Sequence, residues 1–115
     1  MSTVVHGIAN CDAVKKARAW LGEHGEAYAF HDFKKAGVPE DRLDRWIAQL
    51  GWERLLNRKG TTWRQLDETI RAGVADATSA RALMLASPSV IKRPVVEWAS
   101  GALTVGFEPE RWPAS

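Results

Sequence analysis

The sequence predicts an α/β (α+β) domain built on a mixed four-stranded sheet, on three observations. The chain opens with a strand, a helix and a strand. A run of helical segments follows. Two strand-like segments joined by a tight turn close it. A right-handed crossover makes the first two strands parallel, and the closing hairpin adds an antiparallel pair.

"TVVHGI" near the N-terminus is short, apolar and β-branched, and reads as a strand buried on both faces. After "ANCD", Val14, Ala17, Trp20 and Leu21 form one apolar stripe with Lys15, Lys16 and Arg18 outside it. This spacing predicts a helix starting near Asn10 and ending before Gly25. "EAYAFHDF" alternates around Tyr28 and Phe30 and reads as the second strand. "KKAGVPED" is a loop, and Leu43, Trp46, Ile47 and Leu50 then recur at helical spacing up to Gly51. "WERLLNRKGTTWRQL" is less regular, with a helical turn at Leu55 and Leu56 and a short helix from Thr62. "DATSARALMLASP" is a helix with Asp76 or Thr78 as its cap, Ala80, Leu83 and Met84 facing inward, and Pro88 as its stop. "PVVEWASGALTVGF" is the hairpin, turning at Ser100-Gly101, and "PERWPAS" holds one last helical turn.

The 115 residues fit a single domain, 1–115, with a helical insertion over about 38–87. That length buries a core without disulfides or a structural metal. Hydrophobic residues make up 45% and charged residues 26%, as in a soluble globular protein. No apolar run approaches the roughly 20 residues of a membrane helix, and "MSTVVHG" has no signal-peptide pattern. A net charge of +2, with its basic residues dispersed, gives no argument for nucleic acid. One cysteine makes no internal disulfide and no thiolate zinc cluster, and points to a reducing, cytoplasmic setting.

That cysteine, Cys11, is the first candidate for chemistry. It stands between a strand and a helix, where free N–H groups and the helix dipole favour a thiolate. Lys15, one turn on, is expected to add positive charge, and Asp12 to oppose it. A buried cysteine packed as a small hydrophobe fits the same position equally well. In the redox signature Cys-x-x-Cys the second place is here Val14. His6, His24 and His31 share no metal-ligand spacing, no phosphate-binding glycine motif occurs, and the six tryptophans read as packing residues. Arg93 taken alone reads as a surface charge. Pro94 leads into a strand, in a trans bond at its start or a cis bond in a tight turn.

"GIANCDAVKKARAWL", "FHDFKK", "LGWERLLNRKGTTWRQLDE", "SVIKRPVV" and "LTVGF", in that order, make the chain resemble the arsenate reductase-like (ArsC/Spx-related) family of the thioredoxin superfamily. It looks closest to the YffB-like branch of small bacterial proteins, for which a glutathione-dependent thiol reductase role is proposed. The resemblance covers nearly the whole chain. It implies a thioredoxin-like mixed sheet flanked by helices, with the helical insertion between the β-α-β and β-β halves. It implies Cys11 as the redox nucleophile and Pro94 as a cis proline. In the arsenate reductases of this family three arginines hold the oxyanion. Arg93 matches one; Asn57, followed by Arg58, stands in place of the second, and Gly106 in place of the third.

The resemblance implies a thiol-dependent oxidoreductase in which Cys11 forms a mixed disulfide with glutathione. Asn10, Lys15, Asn57, Arg58, Arg93 and Pro94 would bind glutathione or a small oxidised or anionic substrate. No bound cofactor and no metal is expected. Glutathione is the co-substrate, glutaredoxin a partner, and the chain acts as a monomer without nucleic acid or membrane. Two alternatives remain. One is an arsenate reductase coupled to glutathione and glutaredoxin. The other is an Spx-like regulator that binds RNA polymerase without catalysis.

Overall fold

The computed structural model describes residues 2–113. It contains four strands: β1 (Thr3–Gly7), β2 (Tyr28–Asp32), β3 (Val95–Glu97) and β4 (Leu103–Val105). They form one sheet in the order β2-β1-β3-β4, with β1 and β2 parallel and the other two pairings antiparallel. The mixed sheet expected from the chain order is therefore present. Two compact units divide the chain. One holds the residues up to Ala36 and those from Arg93 onward; the other is Gly37–Lys92.

The first unit contains the sheet and helix α1 (Asp12–Glu23). The helix buries Val14, Ala17 and Leu21, the predicted stripe. Ala17 and Leu21 share a core with Val5, Val96, Trp98 and Trp112, against which Trp20, Tyr28, Phe30 and Phe107 pack. Burial of this apolar surface is the main force holding helix to sheet. Gly7 makes the approach close: a Cβ there would meet Val14 Cγ2 at 2.7 Å. The short helix α2 (Phe33–Ala36) follows β2, its start capped by the Asp32 carboxylate accepting from the Lys34 N–H at 2.9 Å. The hairpin turns where predicted, with Gly101 at φ 96. A single 3-10 turn, Pro109–Arg111, is the terminal helical turn.

The second unit is helical. Its members are α3 (Glu40–Leu50), α4 (Trp52–Leu55), α5 (Thr61–Gln65), α6 (Glu68–Ala72) and α7 (Ala77–Ala86). Leu43 and Trp46 of α3, Leu55 of α4, and Ala80 and Met84 of α7 are buried. Asp76 is the α7 cap, in a capping box with Ser79: the Ser79 N–H donates to the carboxylate at 2.9 Å. Arg81 of α7 donates to Asp44 of α3 at 2.6 Å. Three details of this unit differ from expectation. Leu83 is only partly buried, and α6 follows Asp67, where the sequence pattern marked no element. Leu56 is not helical but bridges Ile91 in an antiparallel pair.

Candidate functional site around Cys11

β1 ends at Gly7, and Ile8–Asn10 carry the chain to Cys11, the N-cap of α1. Cys11 is extended (φ −140, ψ 126), so its side chain leaves the helix beside the first free amides. The thiol is only partly buried and is the protein's single free cysteine. Partial burial pushes its pKa up. The Val14 amide, the Arg93 guanidinium and the Ala13 amide outweigh that, and the pKa lies below the ordinary thiol value. The sulfur closes no capping hydrogen bond of ordinary geometry with these amides, which act on it as aligned dipoles. Arg93 acts both as a hydrogen-bond donor and as a charge.

The Arg93–Pro94 bond is cis, as the family resemblance implied. Arg93 is half-buried against the thiol, which corrects its reading as a surface charge. Pro94 is buried, and its carbonyl accepts from the Gly106 N–H at 2.9 Å. Gly106 has φ 86, a conformation that favours glycine over any side chain. Gly106 thus forms a backbone turn that braces the proline.

The other expected residues fall as follows. Val14, in the second-cysteine place, is fully buried packing. Lys15 is exposed and contributes its backbone, the N–H donating to the Cys11 carbonyl at 2.9 Å. Neither its ammonium nor the Asp12 carboxylate is among the groups that shift the thiol, which corrects the expected roles of both. Asn10 is exposed in the connection before Cys11. Asn57 and Arg58 belong to the helical unit. The Asn57 N–H donates to the Val90 carbonyl at 2.8 Å, and the Arg58 guanidinium lies 5.4 Å from the Trp52 ring centroid. Both line a cleft of about 300 Å³ that also holds Arg54, Lys59 and Lys92.

The free N–H groups expected to favour the thiolate are those of Val14 and Ala13. Sequence reasoning missed the buried place of His6. This side chain is buried, pairs with Glu97 at 2.8 Å, and lies 5.2 Å from the His31 ring across the β1–β2 register. The reading of "TVVHGI" as buried on both faces could have flagged it as a buried polar residue.

The model of the ArsC family matches residues 6–115. The chain belongs to the ArsC family. An uncharacterized protein of Haemophilus influenzae is 37% identical over 111 residues, covering 96% of each chain. The solved structure of the YFFB protein is 50% identical, covers 95% of this chain and 94% of its own, and superposes with a TM-score of 0.88. An arsenate reductase (ArsC) related protein from Brucella melitensis is 53% identical, with 96% and 91% covered and a TM-score of 0.75. Within the family, the thioredoxin-like mixed sheet flanked by helices is the shared scaffold on which Cys11 and Arg93–Pro94 sit.

Proposed function

We propose that this ArsC-family protein is a glutathione-dependent thiol reductase with one nucleophilic cysteine. The observation that carries the proposal is the placement of the partly exposed Cys11 at the start of α1 with Arg93 at its thiol, a setting that lowers the thiol pKa. A thiolate is the attacking form in disulfide exchange. The Cys11 thiolate attacks the glutathione sulfur of a substrate–glutathione mixed disulfide. The substrate leaves as its thiolate, and Cys11 is held in an S–S bond to glutathione. A second glutathione thiolate attacks that glutathione sulfur, releasing glutathione disulfide and restoring Cys11. The second thiol must come from solution, because the chain has one cysteine. Arg93 and the Pro94 backbone, with Asn10 and Lys15, are proposed to bind glutathione or an anionic substrate. Regeneration by glutathione, with glutaredoxin as a further partner, requires a reducing compartment, so we assign the protein to the bacterial cytoplasm and read it as a monomer. Among the described residues no helix is long and apolar enough to cross a membrane.

Arsenate is the less favoured substrate. Asn57 and the φ 86 turn at Gly106 stand where two anion-holding arginines are found in arsenate reductases of the family, leaving fewer charge-assisted hydrogen bonds for the oxyanion. A regulator without turnover would instead show a stoichiometric polymerase partner in pull-downs. The deciding experiment incubates reduced protein with glutathione disulfide and weighs the product. A single glutathione adduct, absent in Cys11→Ser and removed by fresh glutathione, is expected. A thiol that remains protonated through the alkaline range and takes no glutathione would overturn the reading.

A further inference from the structure

A second cleft, of about 440 Å³, opens in the sheet-bearing unit and is lined by Ala9, Arg18, Phe30, His31, Asp32 and Lys35. Its central feature is the Arg18 guanidinium. Nε donates to the Tyr28 hydroxyl at 3.1 Å, and Cζ lies 4.3 Å from the Phe30 ring centroid. The plane is therefore held on an aromatic face while its terminal nitrogens remain available. Among the described residues Arg18 has no acidic side chain within ion-pair distance, and neither has Lys35. The one carboxylate on the lining, Asp32, is engaged in capping α2. A guanidinium fixed in place without a carboxylate is a ready bidentate receptor for one.

The cleft is near the thiol along the chain. Ala9 stands two positions before Cys11. Arg18 stands seven positions after it, two turns and about 10 Å farther along α1. A glutathione mixed disulfide spans about 10 Å from the cysteine to a terminal carboxylate, at about 3.3 Å per extended residue plus the S–S bond. Charge, preorganisation and length agree on one occupant.

We infer that Arg18, supported by Lys35, forms a carboxylate subsite that holds one end of glutathione while its sulfur meets Cys11. This rests on the glutathione-dependent reading above and names the part of the site that selects glutathione over other thiols.

The test separates binding from chemistry. S-methylglutathione, which forms no disulfide, is titrated into the reduced protein and followed by NMR, including the Arg18 Nε–H resonance. That resonance is expected to shift. Affinity should fall about tenfold in Arg18→Gln, the loss of a charge-assisted pair, and less in Lys35→Gln, whose exposed side chain leaves the fold intact. An S-methylglutathione diamide, lacking both carboxylates, should bind wild type and Arg18→Gln alike. In parallel, adduct formation on Cys11 is timed with glutathione disulfide and with hydroxyethyl disulfide; only the first should slow in Arg18→Gln. Equal S-methylglutathione affinity in wild type and both variants, or no binding at all, overturns the subsite even if Cys11 takes glutathione normally. Arg18-dependent binding with no adduct on Cys11 would uphold the subsite and sink the reductase reading.

Discussion

At the scale of single residues, Cys11 and Arg93 carry the clearest expectations. Because the Cys11 pKa is lowered, the thiolate persists below the pH at which an ordinary cysteine, with a pKa near ~8.5, gains its proton. Reactivity is lost as pH falls through the lowered value. The same holds for the stability linked to the thiolate: it is fully present above the ordinary thiol pKa and disappears as pH falls through the folded one. Ultraviolet thiolate absorbance against pH should place the midpoint below that of free cysteine. In Arg93→Ala the midpoint should move up, and alkylation at neutral pH should slow about tenfold, the loss of one charge-assisted hydrogen bond. A midpoint unmoved by Arg93→Ala would mean that the amides alone set it. Lys15→Gln should leave the midpoint where it is, because Lys15 is not among the groups that shift the thiol. Cys11 was legible as a candidate from its place between a strand and a helix. Arg93 was not legible from its local sequence, because its neighbour lies across the fold.

At the scale of elements, the seat of α1 on the sheet decides where Cys11 points. Gly7→Ala puts a methyl 2.7 Å from Val14 Cγ2, and Val14 is fully buried and β-branched, with little room to yield. We expect a loss of about 1–3 kcal/mol in urea denaturation, as for other overpacked cores, together with a Cys11 midpoint shifted towards that of free cysteine. Leu21→Ala, farther along the same buried stripe, should cost about 2–5 kcal/mol and leave the midpoint alone. The contrast between the two separates positioning of the thiol from general stability. Across the sheet, Glu97→Ala removes the partner of a buried imidazole and should cost about 1–3 kcal/mol, read from the same denaturation curves. Helices with strong apolar periodicity, α1 and α3, were legible in the sequence together with their stops at Gly25 and Gly51. The short helix α6 was not. It has no buried residue, so no apolar stripe marks it.

For the whole molecule, membership of the ArsC family and the mixed sheet leave the substrate as the quantity to measure. A coupled assay with glutathione, glutaredoxin and arsenate should show no arsenate-dependent consumption of the reduced cofactor, because Gly106 and Asn57 supply no guanidinium. Sustained turnover with arsenate would restore the arsenate reductase reading. The sequence alone determined the order of the strands and of the longer helices α1, α3 and α7, the parallel-then-antiparallel sheet, the single thiol and the absence of a second one. Each of these follows from local periodicity, turn residues or composition, which a linear chain displays directly. Only the tertiary structure decided what acts on that thiol. It selected Arg93 over Lys15, gave Gly106 its bracing turn under Pro94, and set Arg18 on Phe30 with no acidic partner among the described residues. Those outcomes depend on distances between residues far apart in the chain, and electrostatic and packing forces act over a few ångström whatever the separation in sequence.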